Sequence, residues 1–97
     1  MKKEALRNIL PLGSVITLKK GRKKLRSIGR IQEVRSSGIL DDYAAGLYPE
    51  GILDASELYM CQGEDIDRIY HGGLQEEEEF AFRSYMEQKL KELKLLE

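Results

Sequence analysis

The sequence predicts a mainly β fold with α. The expected architecture is a small five-stranded barrel, SH3-like or similar, with a short N-terminal helix and a long C-terminal amphipathic helix. Three observations predict it. Between residues 13 and 73 short β-branched and aromatic runs alternate with Gly and Pro. Five such runs at this spacing favour a closed or half-closed barrel, which removes exposed sheet edges. From Gln75 onward the apolar period changes to that of a helix. Ninety-seven residues make one domain over 1–97 with room for one modest core.

Taken in order, residues 3–10 form a short helix closed by Pro11. Leu12, Gly13 and Ser14 open the apolar run Val15–Leu18, the first strand. A basic turn around Gly21 follows, and Leu25–Val34 is the second strand. Its alternation is imperfect, because Leu25 is out of phase with Ile28, and Gly29 marks a bulge that repairs the phase. Ser36, Ser37 and Gly38 read as a loop. Residues 42–48 are the third strand, with Tyr43, Ala45 and Leu47 on one face. Tyr48-Pro49-Glu50-Gly51 is a turn with proline second and glycine fourth. Residues 57–61 make a fourth strand, Gly63–Asp65 a polar break in the form of a single 3₁₀ turn, and residues 66–70 a fifth strand stopped by His71, Gly72 and Gly73. The β-barrel thus spans 13–73.

The C-terminal helix is expected over 75–96. Phe82, Met86, Leu90 and Leu93 form its apolar stripe, which Leu96 extends and Phe80, Tyr85 and Leu95 broaden. Glu76, Glu77, Glu78 and Glu79 occupy its first turn and Lys89, Lys91 and Lys94 its last, which suits the helix dipole at both ends. Glu79 with Arg83 and Glu87 with Lys91 are i,i+4 pairs in the favourable order. Twenty-two residues would span roughly 33 Å, long enough to overhang a barrel of this size.

Charge is partitioned along the chain. The first 35 residues carry eleven Lys or Arg against two Glu, and the remaining 62 carry five against fifteen Asp or Glu. The formal net charge of −1 hides a basic end and an acidic end, each able to attract different partners. The apolar stretches fall far short of the roughly 20 residues that cross a bilayer, and the basic N-terminus leads into no apolar signal region. A single cysteine, Cys61, rules out an internal disulfide. The expectation is a cytoplasmic protein with a reduced thiol and no membrane association.

Residues 19–30 hold seven Lys or Arg: Lys19, Lys20, Arg22, Lys23, Lys24, Arg26 and Arg30. Such a run can neutralise phosphates, and barrel loops are common sites for single-stranded nucleic acid. Stacking aromatics are missing between residues 1 and 42, however, and cations on a hairpin also guard a sheet edge. Four consecutive glutamates on a helix diverge by about 100° each and cannot converge on one cation. Glu64, Asp65 and Asp67 lack the glycine and distal glutamate of a calcium loop. No metal or cofactor is expected. His71 and Cys61 are the one conceivable catalytic pair, yet Cys61 follows an apolar run and reads as a small buried hydrophobe, so no catalytic residue is assigned.

Tyr43, Tyr48, Pro49 and Tyr59 concentrate aromatic surface mid-chain, either as protein-binding surface or as filling for a barrel without tryptophan. Leu90 and Leu93 near the helix end either pack on the barrel or dock on another chain.

The blocks Leu10-Pro11-Leu12-Gly13-Ser14-Val15-Ile16-Thr17-Leu18-Lys19, Ile28-Gly29-Arg30, Asp42-Tyr43, Leu47-Tyr48-Pro49-Glu50-Gly51 and Glu64-Asp65-Ile66-Asp67 resemble a small family from Gram-positive bacteria, catalogued as a domain of unknown function. Its members are often encoded beside type VII secretion genes and their LXG-type toxins. The resemblance spans about residues 9–73, and Ala44-Ala45 stands where the family pattern has a bulkier apolar pair. It carries no reaction. It implies a cytoplasmic accessory or chaperone-like protein acting on a secreted toxin or another secretion component, with Tyr43, Leu47, Tyr48, Pro49, Glu50 and Gly51 as fold determinants or contact residues.

The function expected is therefore a non-enzymatic protein-binding module. Its candidate contact residues are Tyr43, Leu47, Tyr48, Pro49, Glu50, Lys20, Arg22, Lys23, Lys24, Arg26, Leu90 and Leu93. Nucleic-acid binding by the basic hairpin is the alternative. Self-association as a homodimer, basic hairpin against acidic helix, is the third reading.

Overall fold

The computed structural model of the chain describes residues 1–34 and 38–97. Its elements are α1 (Lys3–Arg7), β1 (Val15–Leu18), β2 (Leu25–Val34), β3 (Ile39–Leu47), β4 (Tyr59–Cys61), a 3₁₀ turn (Gly63–Asp65), β5 (Ile66–His71) and α2 (Glu77–Glu92). The fold is mainly β. One antiparallel sheet runs in the order β4-β3-β2-β1-β5, with β4 and β5 at its edges. The sheet is open: among the described residues no ladder joins β4 to β5. Of the expected loop at residues 36–38, Ser36 and Ser37 lie outside the described residues, and Gly38 has the positive φ of a turn, +67°.

The core lies on one face. Ile16 pairs with Leu25, Tyr43 with Cys61, and these join Ala45 and the incoming Ile9 in one buried cluster. Ala45 is fully buried, so a larger side chain there would have no room. The ladder between β2 and β3 slips between Ser27 and Gly29, the bulge that the out-of-phase Ile28 predicts. Two further irregularities interrupt β1 against β5.

α1 stops at Arg7 rather than reaching residue 10. The Leu10 N–H donates to the Tyr43 hydroxyl at 2.9 Å, and the residue before Pro11 is disfavoured in helical backbone. The chain thereby turns Ile9 and Pro11 inward. Ser14 follows, and its hydroxyl donates to the Pro11 carbonyl at 2.7 Å while accepting from the Gly73 N–H at 3.0 Å. This clip holds the entry of β1 against the exit of β5. A Cβ on Gly73 would sit 1.9 Å from the Leu12 carbonyl oxygen, so only glycine allows that approach.

α2 begins where Glu76 accepts from the N–H groups of Glu78 and Glu79, at 3.1 and 3.3 Å. It ends at Glu92, short of residue 96, because Lys94 adopts φ +58° and the Leu95 N–H returns to the Leu90 carbonyl at 2.9 Å. Sixteen residues span about 24 Å, less than the expected 33 Å. Met86 and Leu90 are its buried residues, whereas Phe80, Phe82, Tyr85 and Leu93 of the expected stripe stay exposed. Polar contacts hold the helix beside these two buried side chains. Arg30 forms a two-point pair with Glu79, and the Met1 amine and carbonyl bond the backbone at Leu95 and Glu97. No helix is long and apolar enough to cross a membrane among the described residues.

Candidate protein-binding surface

The basic turn between β1 and β2 is built by two backbone bonds. The Gly21 N–H returns to the Leu18 carbonyl at 3.0 Å, and the Lys19 N–H reaches the Asp65 carbonyl at 2.9 Å. Lys20, Arg22, Lys23, Lys24 and Arg26 all stand exposed on this hairpin. The Lys23 ammonium donates to the Glu50 carboxylate at 2.7 Å, and the Tyr48 N–H donates to the Lys24 carbonyl at 3.0 Å. Two groups that lie far apart in the sequence, the basic hairpin and the Tyr-Pro-Glu-Gly turn, therefore form one surface. The hydrogen bond from Lys23 holds the Glu50 carboxyl below its ordinary value. The turn itself closes by a Gly51 N–H bond to the Leu47 carbonyl at 2.8 Å, with Gly51 at φ +78° and a cis peptide at Tyr48–Pro49.

Beyond the turn, residues 51–60 are exposed throughout. Five of the ten are large apolar or aromatic side chains, Ile52, Leu53, Leu58, Tyr59 and Met60, with Leu53 73% exposed. An exposed run of this composition is a feature of interaction surfaces. Its base is fixed because Ile52 lies against Gly46, where an added Cβ would come within 3.1 Å of the Ile52 side chain. Asp54 accepts from the Ser56 N–H and hydroxyl, which shapes the loop and holds the Asp54 carboxyl low.

The expected contact residues separate by burial. Tyr48, Pro49 and Glu50 are exposed beside the hairpin cations. Tyr43 is not surface: it is 2% exposed, its hydroxyl holds Leu10, and burial pushes its phenol upward. Leu47 is half-buried against the core. Leu90 is buried in α2, so of the helix pair only Leu93 is available.

One residue escapes sequence reasoning. Tyr70 lies under the Lys24 ammonium, 4.7 Å from the ring centre, with the Arg68 guanidinium at 6.0 Å. The hairpin has no aromatic neighbour in sequence, but the pairing of β5 with β1 supplies one. Only that pairing could have revealed it.

The acidic segments are occupied with structure. The Gln62 side chain accepts from the Asp42 N–H and donates to Asp41 and the Leu40 carbonyl, Asp42 accepts from the Gly63 N–H at 2.8 Å, and Asp65 accepts from the Gln62 N–H. Asp41, Asp42, Gln62 and Asp65 thus lock β3 to the 3₁₀ turn. Among the described residues no group of three His, Cys, Asp or Glu is placed to hold a metal ion. Cys61 is on β4 and His71 on β5, at opposite edges of the sheet. Burial, with Asp65, Asp42 and Asp41 nearby, pushes the Cys61 thiol up to about 11, leaving it protonated at neutral pH and a poor nucleophile.

No curated protein and no solved structure matches the chain. A family model described as a domain of unknown function, DUF4176, matches residues 9–82, from the first core residue Ile9 through the Ser14–Gly73 clip to Phe82 in α2. The match covers well over half of the chain, which therefore belongs to the DUF4176 family.

Proposed function

We propose that this chain is a non-enzymatic protein-binding module, an accessory or chaperone-like protein for a type VII secretion substrate in the cytoplasm of a Gram-positive bacterium. The observation that carries the reading is the exposed apolar segment over residues 51–60, anchored at Gly46 and set beside a cationic hairpin. Such a surface offers apolar burial at its centre and charge at its rim, the usual anatomy of a protein interface. The strand order, with a 3₁₀ turn between β4 and β5, supports an SH3-like reading of the open sheet. Co-expression with the products of adjacent genes tests the reading. A complex that survives moderate salt, and is lost in the double variant Leu53→Ser/Leu58→Ser, is the expected result. If no partner survives moderate salt while nucleic acid does, the reading fails.

The second reading, a nucleic-acid-binding barrel, is favoured by Tyr70 alone. An exposed ring between Lys24 and Arg68 is a stacking platform with adjacent cations. A titration with single-stranded oligonucleotide at two salt concentrations decides it, since real phosphate contacts give a steep negative slope.

A further inference from the structure

A groove of about 840 Å³, to which the basic hairpin contributes no lining residue, lies between α1, β3, the 3₁₀ turn and the first residues of β5. Leu10, Leu40, Ile66 and Ile69 give it an apolar lining, and Ile69 is 56% exposed although it sits in a strand opposite the core residue Ile16. Its charged side chains are unbalanced. Glu4, Glu64, Asp67 and Glu97 line it, with Asp42 committed to the Gly63 N–H, against Lys2 and the Met1 ammonium, which donates to the Leu95 carbonyl. Lys2 offsets little, because its pair with Glu64 is long, 3.9 Å, and highly exposed.

We infer that this groove seats a short amphipathic segment of a partner protein, with apolar side chains on the floor and Lys or Arg against the acidic rim. The inference rests on the protein-binding reading above and adds the chemistry of the partner. Charge complementarity selects the occupant: an acidic or neutral apolar segment would leave the rim carboxylates facing each other. The exposed basic turn of a second copy, Lys19-Lys20-Gly21-Arg22-Lys23-Lys24, is not the occupant, because it has no apolar side chain for the floor. Strand addition along β5 is also disfavoured. Two irregularities interrupt β5 against β1, and Asp67 and Arg68 guard its edge. Side-chain burial in the groove then carries the contact, as when an amphipathic helix lies in an apolar trough.

The test uses the full chain and a synthetic helix-forming peptide with a leucine stripe flanked by lysines. A control peptide keeps the stripe and replaces every lysine by glutamate. Fluorescence anisotropy gives affinity, and amide chemical shifts give location. The lysine peptide is expected to bind, to shift Leu10, Leu40, Ile66 and Ile69, and to weaken about tenfold in Glu64→Lys/Asp67→Lys. Both substituted residues are exposed, so the variant retains its fold and its melting temperature checks this. Equal affinity for the two peptides, unchanged affinity in the variant, or shifts confined to another surface would overturn the inference. Its failure is separable from that of the functional reading. A gene-neighbour complex that is lost in Leu53→Ser/Leu58→Ser but unaffected by Glu64→Lys/Asp67→Lys removes the groove alone. A lysine peptide mapped to the groove, with no gene-neighbour complex at moderate salt, removes the functional reading alone.

Discussion

Arg30 and Glu79, 49 positions apart, are joined by two hydrogen bonds of 2.5 and 2.9 Å, with side chains only 5% and 11% exposed. The guanidinium also lies over the Phe82 ring at 5.6 Å, and Arg83 donates to the same carboxylate at 2.9 Å. A basic residue of β2 thereby fixes the acidic start of α2. Part of the charge partition in the sequence is internal complementarity.

Removing one member of this pair strands the other charge in a dry setting. Glu79→Gln is expected to cost about 3 kcal/mol in urea denaturation, and Arg83→Ala, at the more exposed side, less than about 1. The pH dependence has a definite sign. The hydrogen bond from Arg30, then that from Arg83, holds the Glu79 carboxyl below its ordinary 4.5, so the folded state binds this proton less readily than the unfolded chain. The stability it contributes is present above pH 4.5 and is lost as pH falls below it. Wild type and Glu79→Gln should converge in acid.

The Ser14–Gly73 clip predicts two unequal losses. Gly73→Ala drives a methyl into the Leu12 carbonyl and should cost about 4 kcal/mol or more, measured by thermal or urea unfolding. Ser14→Ala leaves the Gly73 N–H without its acceptor and should cost about 1–3 kcal/mol.

Lys94 occupies left-handed backbone after α2. Lys94→Gly is expected to stabilise by about 1 kcal/mol, and Lys94→Ala to give no gain, in paired melting experiments.

Cys61 should label slowly. A thiol raised from 9 to about 11 holds about a hundredfold less thiolate than an ordinary one at neutral pH, so alkylation at pH 8 should be far slower than in urea. Here the folded state holds its proton more tightly. The stability this contributes is present below pH 9 and lost as pH rises toward 11, and Cys61→Ala should flatten that alkaline slope.

These contacts also show how much of the molecule its sequence reveals. β1 and β2 are legible residue by residue, because β-branched runs between glycines have few alternatives. The bulge near Gly29, the 3₁₀ turn and the glutamate-capped start of α2 are local signals too. The early ends of both helices are less so. α1 is cut short by Tyr43, 33 positions away, and α2 ends on a lysine in a conformation that its side chain disfavours. The candidate surface is half legible. Its cations and the Tyr48-Pro49-Glu50-Gly51 turn are visible in the chain, but their junction through Lys23 and Glu50 needs the β2–β3 pairing. Leu53 and Leu58 show no periodicity that marks them as exposed, and Tyr70 meets Lys24 only across β1.

The bond between Ser14 and Gly73 closes 59 positions of chain, which hold the whole sheet. Ordering so long a loop for one contact is unfavourable until the intervening strands have paired. The clip is therefore a late event in folding, made once β5 has come to rest beside β1. Ser14→Ala should accelerate unfolding and leave the refolding rate almost unchanged, so that the serine governs how long the sheet stays assembled rather than how fast it assembles.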